Sequence, residues 1–85
     1  MVARLDRMRV GGGTLRIFAV DEARCGLACA RAHPSSCHAV DYDTVRRECH
    51  MHTTYQTACQ PLIPNVNFNH HRRYGCASKF SNLKF

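Results

Sequence analysis

Four of the six cysteines fall in one stretch, Cys25, Cys29, Cys37 and Cys49, and nothing else in the chain restricts its fold so strongly. Cys25 and Cys29 stand four apart, which places them on one face of a helix with Ala28 and Ala32 beside them. Asp21 is a suitable N-cap and Glu22 an acid for the first turn, both matched to the unpaired amides of a helix start. From Ala23 to Ala32 the residues favour helix, with Gly26 a slight weakness. Pro34 disfavours helical geometry at His33 and ends the element. Arg24 and Arg31 fall on a separate face that reaches water.

Cys37 to Tyr42 reads as a strand and Arg47 to Thr53 as its partner, with Asp43-Thr44-Val45-Arg46 as the turn. The two-residue period puts Cys49 and Met51 on one face, and His50 and His52 on the other. It likewise groups Cys37 with Ala39, and Val40 with Tyr42. If Tyr42 opposes Arg47, Cys49 lies beside Val40, about 10 Å along the sheet from Cys37 at ~3.3 Å per residue. Cys25 lies roughly 6 Å back along the helix from Cys29. Since the chain reverses at His33-Pro34, the pairing Cys29–Cys37 with Cys25–Cys49 fits, and the swapped pairing crosses.

These residues resemble a family. The run Val20-Asp21-Glu22-Ala23-Arg24-Cys25 with Cys29, then Cys37-His38-Ala39-Val40-Asp41-Tyr42, then Cys49 and Met51, is similar to the PAN/apple domain over about Leu15 to Cys76. The resemblance implies an α+β fold, one short helix disulfide-bridged to a small antiparallel sheet of four or five strands. It implies the same two bridges. Val40 departs mildly from the pattern, since other members often carry phenylalanine there. Apple domains add a bridge between their termini, but no cysteine precedes Cys25 here. Cys59 and Cys76 therefore bond to each other or stay free, and a Cys59–Cys76 bridge is the expectation taken.

A chain of 85 residues makes one domain with a marginal core, for which covalent staples are the usual remedy. Each bridge contributes ~2–4 kcal/mol, against a typical domain stability of about 5–15 kcal/mol. Six cysteines in so short a chain point to an oxidising compartment, hence an extracellular or secreted protein. Met1 to Arg9 holds no apolar run long enough for a secretory signal, so a secreted chain of this kind is expected to be a mature or excised piece. No stretch has the ~20 apolar residues of a membrane span. The domain is expected over 1–76, with 77–85 a tail or linker.

Taken in order, Val2 to Val10 suits an edge strand and Gly11-Gly12-Gly13 a loop or tight turn. Thr14 to Val20 alternates as a strand. Thr53 to Pro64 reads as an irregular crossing anchored by Cys59. Asn65 to Asn69 is an edge strand or exposed loop, because asparagine is a poor strand former. His71 to Cys76 would close the sheet.

The chemistry expected is recognition without catalysis. A cysteine nucleophile needs a free thiolate beside a histidine base, and the cysteines near His38 and His50 are assigned to bridges. No catalytic motif is present, no cofactor is implied, and no metal site is assigned. If a metal were bound, His50 and His52 on one strand face would be its ligands, yet the spacing matches no common zinc module. The formal net charge is +6, and no acid follows Glu48. His70, His71, Arg72 and Arg73 then read as a basic patch suited to sulfated glycans or an acidic protein surface. Nucleic acid is disfavoured for want of a recognition motif. The resemblance implies an extracellular protein or glycan as partner. A structural tile in a larger extracellular assembly and a Cys/His metal-binding protein are the alternatives.

Overall fold

The structure, a computed structural model, describes residues 3–13, 15–18, 20–31 and 37–73. Among the described residues seven elements follow one another: β1 (Ala3–Arg9), β2 (Leu15–Ile17), α1 (Glu22–Arg31), β3 (Ala39–Asp43), β4 (Glu48–His52), α2 (Tyr55–Ala58) and β5 (Ile63–Arg72). The strands form one antiparallel sheet in the order β1-β5-β3-β4-β2. The architecture is therefore α+β, with α1 on one face of a five-stranded sheet.

Helix α1 starts where its cap permits. The Asp21 carboxylate accepts from the Arg24 amide at 2.7 Å, satisfying one of the free donors of the first turn. Cys25, Gly26 and Cys29 are buried, so the glycine that weakens the helix also lies against the sheet. Cys25 is bonded to Cys49 of β4, and Cys29 to Cys37 just before β3, with Cα separations of 5.4 and 5.2 Å. Around these four sulfurs pack Val40, Tyr42 and Met51, joined by the partly buried Ile17 and Val20. The Tyr42 hydroxyl donates to the Val20 carbonyl at 2.5 Å, and the Val20 amide donates to the Arg47 carbonyl at 3.1 Å. Both bonds fix the approach of the chain to α1.

The β3–β4 hairpin differs from expectation in register. Cys49 opposes Tyr42, and Val40 opposes Met51. The loop spans Thr44 to Arg47, with Arg47 at φ 58° and the Asp43 carboxylate accepting from the amides of Val45 and Arg46 at 2.9 and 3.0 Å. A shift of two residues preserves facing, so Val40, Tyr42, Cys49 and Met51 still share the helix side.

A larger correction concerns β5. It is one ten-residue strand in the sheet interior, between β1 and β3, instead of an edge segment followed by a separate closing strand. Its asparagines do work that propensity does not register. The Asn69 side chain accepts from the Arg7 amide at 3.1 Å, where β1 bulges and Arg7 takes φ 59°. The Asn65 side chain accepts from the Asn67 amide at 3.0 Å, while the main-chain carbonyl of Asn67 accepts from both the amide and the hydroxyl of Thr44. The expected closing strand beyond Arg73 and the tail 77–85 lie outside the described residues. So does Cys76, and with it the expected Cys59–Cys76 bridge.

The opposite sheet face is covered by the segment Val10 to Gly13. Because β1 and β2 occupy the two edges, their connection must cross the sheet. It passes over β3, where the Asp41 carboxylate accepts from the amides of Val10 and Gly11 at 3.1 and 2.9 Å. Gly11 holds φ 84°, and a Cβ on Gly13 would lie 3.1 Å from the Cβ of His50. Gly11 and Gly12 supply the positive φ of the turn and Gly13 lets the backbone lie close on the sheet, beyond the plain loop that their composition suggests.

Candidate functional site

Between α1 and the β1–β5 side of the sheet runs an open groove of about 340 Å3. Its apolar wall comes from the outer face of the helix, Ala23, Leu27 and Ala30, which follow the helical period. Its polar end is built by residues far apart in sequence. The Glu22 carboxylate accepts from Arg4 Nε at 2.9 Å, His71 Nε2 at 2.5 Å and Asn69 Nδ2 at 3.1 Å. Burial alone would raise the pKa of Glu22, but hydrogen bonds from His71, Arg4 and Asn69 outweigh it and lower the pKa. The groove thus presents a fixed anion and two positively polarised donors beside an apolar wall. Such a surface suits a ligand with hydroxyl or amide groups and a small apolar flank.

The strand pleat divides the expected basic patch. His71 opposes Val40 and His70 opposes Asp41, so consecutive residues of the run His70, His71, Arg72, Arg73 turn to opposite sheet faces. His70 is 0% and Arg72 4% exposed, both in the interior, with His70 beside the Asp41 that anchors the Val10–Gly13 crossing. His71 lines the groove, and Arg73 donates to the Cys29 carbonyl at 3.1 Å. The four residues do not make one exposed cationic surface, because a strand cannot present neighbours on the same side.

The inward half forms a buried network. Asp41 Oδ1 accepts from His70 Nδ1 at 2.7 Å, and Asp41 Oδ2 accepts from His52 Nε2 at 2.8 Å. With the Val10 and Gly11 amides, the carboxylate has four donors and stays ionised far below the usual range. Burial opposes this, but the bonds from His52 and His70 prevail. Arg72 meets His70 Nε2 at 3.3 Å. Since a guanidinium only donates and a carboxylate only accepts, His70 carries its proton on Nδ1. Burial lowers its pKa, with Asp41 pulling the other way, which suits a neutral ring between a cation and an anion.

The rings that the sequence offers to a metal, His50 and His52, are both buried on this face. His50 Nε2 lies 3.0 Å from Glu48 Oε1, while His52 is tied to Asp41. Among the described residues no group of three His, Cys, Asp or Glu side chains is disposed to hold a metal ion. No helix among them is long and apolar enough to cross a membrane.

Arg4, Glu22 and Asn69 escaped sequence reasoning, since no local spacing connects residues 18 to 47 positions apart. The available signal was Glu22, a first-turn acid that explains itself as a helix-start charge and so suggests nothing more. Against known proteins, a family model described as PAN domain matches residues 2–77. No curated protein matches the chain.

Proposed function

This chain belongs to the PAN domain family, whose members are modules for protein or carbohydrate interactions, and on that premise we propose a non-catalytic recognition domain of an extracellular protein. The groove beside α1 is the surface that takes the partner. One observation carries this reading: Glu22, held by three side chains from β1 and β5, is fixed at the end of an apolar helix wall that stays open to solvent. A carboxylate immobilised in this way accepts from a sugar hydroxyl or a peptide amide at little ordering cost. The two bridges, whose four cysteines are all buried, supply a rigid frame for it.

The oxidised frame also supports the extracellular assignment, because such bonds persist in oxidising compartments. The test is a screen of the disulfide-intact chain on an array of neutral saccharides and unmodified peptides, followed by Leu27→Arg. Leu27 is half exposed on the helix, so the variant keeps its circular dichroism while an arginine fills the groove. The best array ligand should bind the variant at least ~10-fold more weakly, or ~1.4 kcal/mol. Equal affinity for both proteins would remove the groove from the function.

A further inference from the structure

We propose that Arg9, Arg16 and Arg46 form a binding site for a sulfate group of a sulfated saccharide, on the sheet face opposite α1. The three come from different elements, the end of β1, the middle of β2 and the β3–β4 loop, and line one concavity of about 300 Å3. Its walls are polar, with His50 and Phe68 beneath and Asp43 as the one acid in its lining. The Asp43 carboxylate is buried and already accepts from the Val45 and Arg46 amides. Arg4 and Arg24 have carboxylate partners, but among the described residues none of these three guanidinium groups has one. Buried Nε of Arg9 has no hydrogen-bond partner there either.

Three unpaired guanidinium groups around one hollow repel one another unless an anion joins them. Their planar forks match the oxygens of a tetrahedral oxyanion. The arrangement is also preorganised. Arg9 lies over the Phe68 ring with Cζ 4.0 Å from its centroid. Arg9 and Arg16 flank the glycine crossing that Asp41 anchors, and Arg46 follows a loop closed by Asp43. The compartment selects the ligand: a disulfide-clamped domain outside the cell meets sulfate esters on polysaccharides far more than protein phosphate. The inference rests on the reading of the chain as a recognition module and adds a second face to it.

The experiment compares Arg16→Gln/Arg46→Gln with Arg24→Gln/Arg31→Gln, two pairs of exposed residues whose loss changes net charge equally. Each is titrated with a heparin-derived hexasaccharide, its desulfated counterpart, inorganic sulfate and a phosphoserine peptide. The site pair should lose ~10-fold or more in hexasaccharide affinity and the helix pair less than ~2-fold, with the desulfated sugar not bound by either. Arg9→Gln should weaken binding as well, and the Nε–Hε resonances of Arg9, Arg16 and Arg46 should shift on titration. Equal losses in both pairs would mean that binding follows net charge alone, which overturns the site. So would tighter binding of the phosphopeptide, or binding of inorganic sulfate without the hexasaccharide. If the sulfated arm fails while an array ligand still depends on Leu27, this inference falls and the recognition reading stands. If both fail, the recognition reading falls with it.

Discussion

Asp41 sits on the middle strand with two imidazoles and two backbone amides aimed at it, and its ionisation and that of His70 are tied to stability. The Asp41 pKa is lowered on folding, so its contribution is complete above the ordinary carboxylate value of about 4 and lost as pH falls below it. His70 acts nearer neutrality. Its pKa is lowered by burial, with Asp41 on β3 opposing and Arg72 on β5 and His52 on β4 adding to the fall. Below ~6.5 the unfolded chain therefore binds a proton that the folded chain refuses, and stability declines as pH drops from about 7 to 5. One such group gives at most ~1.4 kcal/mol per pH unit. His70→Asn keeps a donor near Nδ1 and cannot titrate, so denaturation midpoints measured across that window should decline less steeply than in the native chain. Parallel curves would show that another histidine carries the dependence. None of this was legible beforehand: His52, Asp41 and His70 are brought together by strand pairing, whereas in the sequence His52 reads as a metal-ligand candidate, Asp41 as part of the family motif and His70 as part of a basic patch.

At the scale of elements, the parts with a local cause were readable. Helix α1 announces itself through Asp21, a run of good helix formers and two cysteines at helical spacing, and its limits follow. Removing the cap by Asp21→Ala should cost ~1 kcal/mol, read as a lower urea midpoint of the disulfide-intact protein. An unchanged midpoint would show that the bridges hold the helix start without the cap. The β3–β4 hairpin was readable as an element but not in register, because Arg47 adopts the left-handed conformation and arginine gives no signal for it. Strand β5 was misjudged because asparagine and Pro64 weigh against a strand, whereas the neighbours on both sides supply the pairing that overrides propensity. The same error produced the supposed basic patch. Had residues 63–72 been read as one strand, the pleat would have sent His70 and Arg72 inward.

For the whole molecule, the question is how far covalent closure, as opposed to packing, maintains the native state. The Cys25–Cys49 bridge spans 24 residues and Cys29–Cys37 spans 8, so the chain-entropy account assigns them about 3.5 and about 2.5 kcal/mol. The buried apolar set is small and includes the bridged cysteines, and much of the second face is a polar network that needs its geometry intact. Total stability for a domain of this kind is about 5–15 kcal/mol, so the two bridges together, at about 6 kcal/mol, exceed its lower bound. Replacing Cys25 and Cys49 by alanine should therefore destabilise more than replacing Cys29 and Cys37, by ~1 kcal/mol in denaturant midpoints converted with a common slope. Full reduction at neutral pH should abolish near-ultraviolet dichroism, and peptide mapping of the unreduced chain should recover Cys59 linked to Cys76. A reduced protein that retained its tertiary signal would place the stability in packing and polar contacts. An oxidising compartment would then no longer be needed, because the fold would survive wherever thiols do.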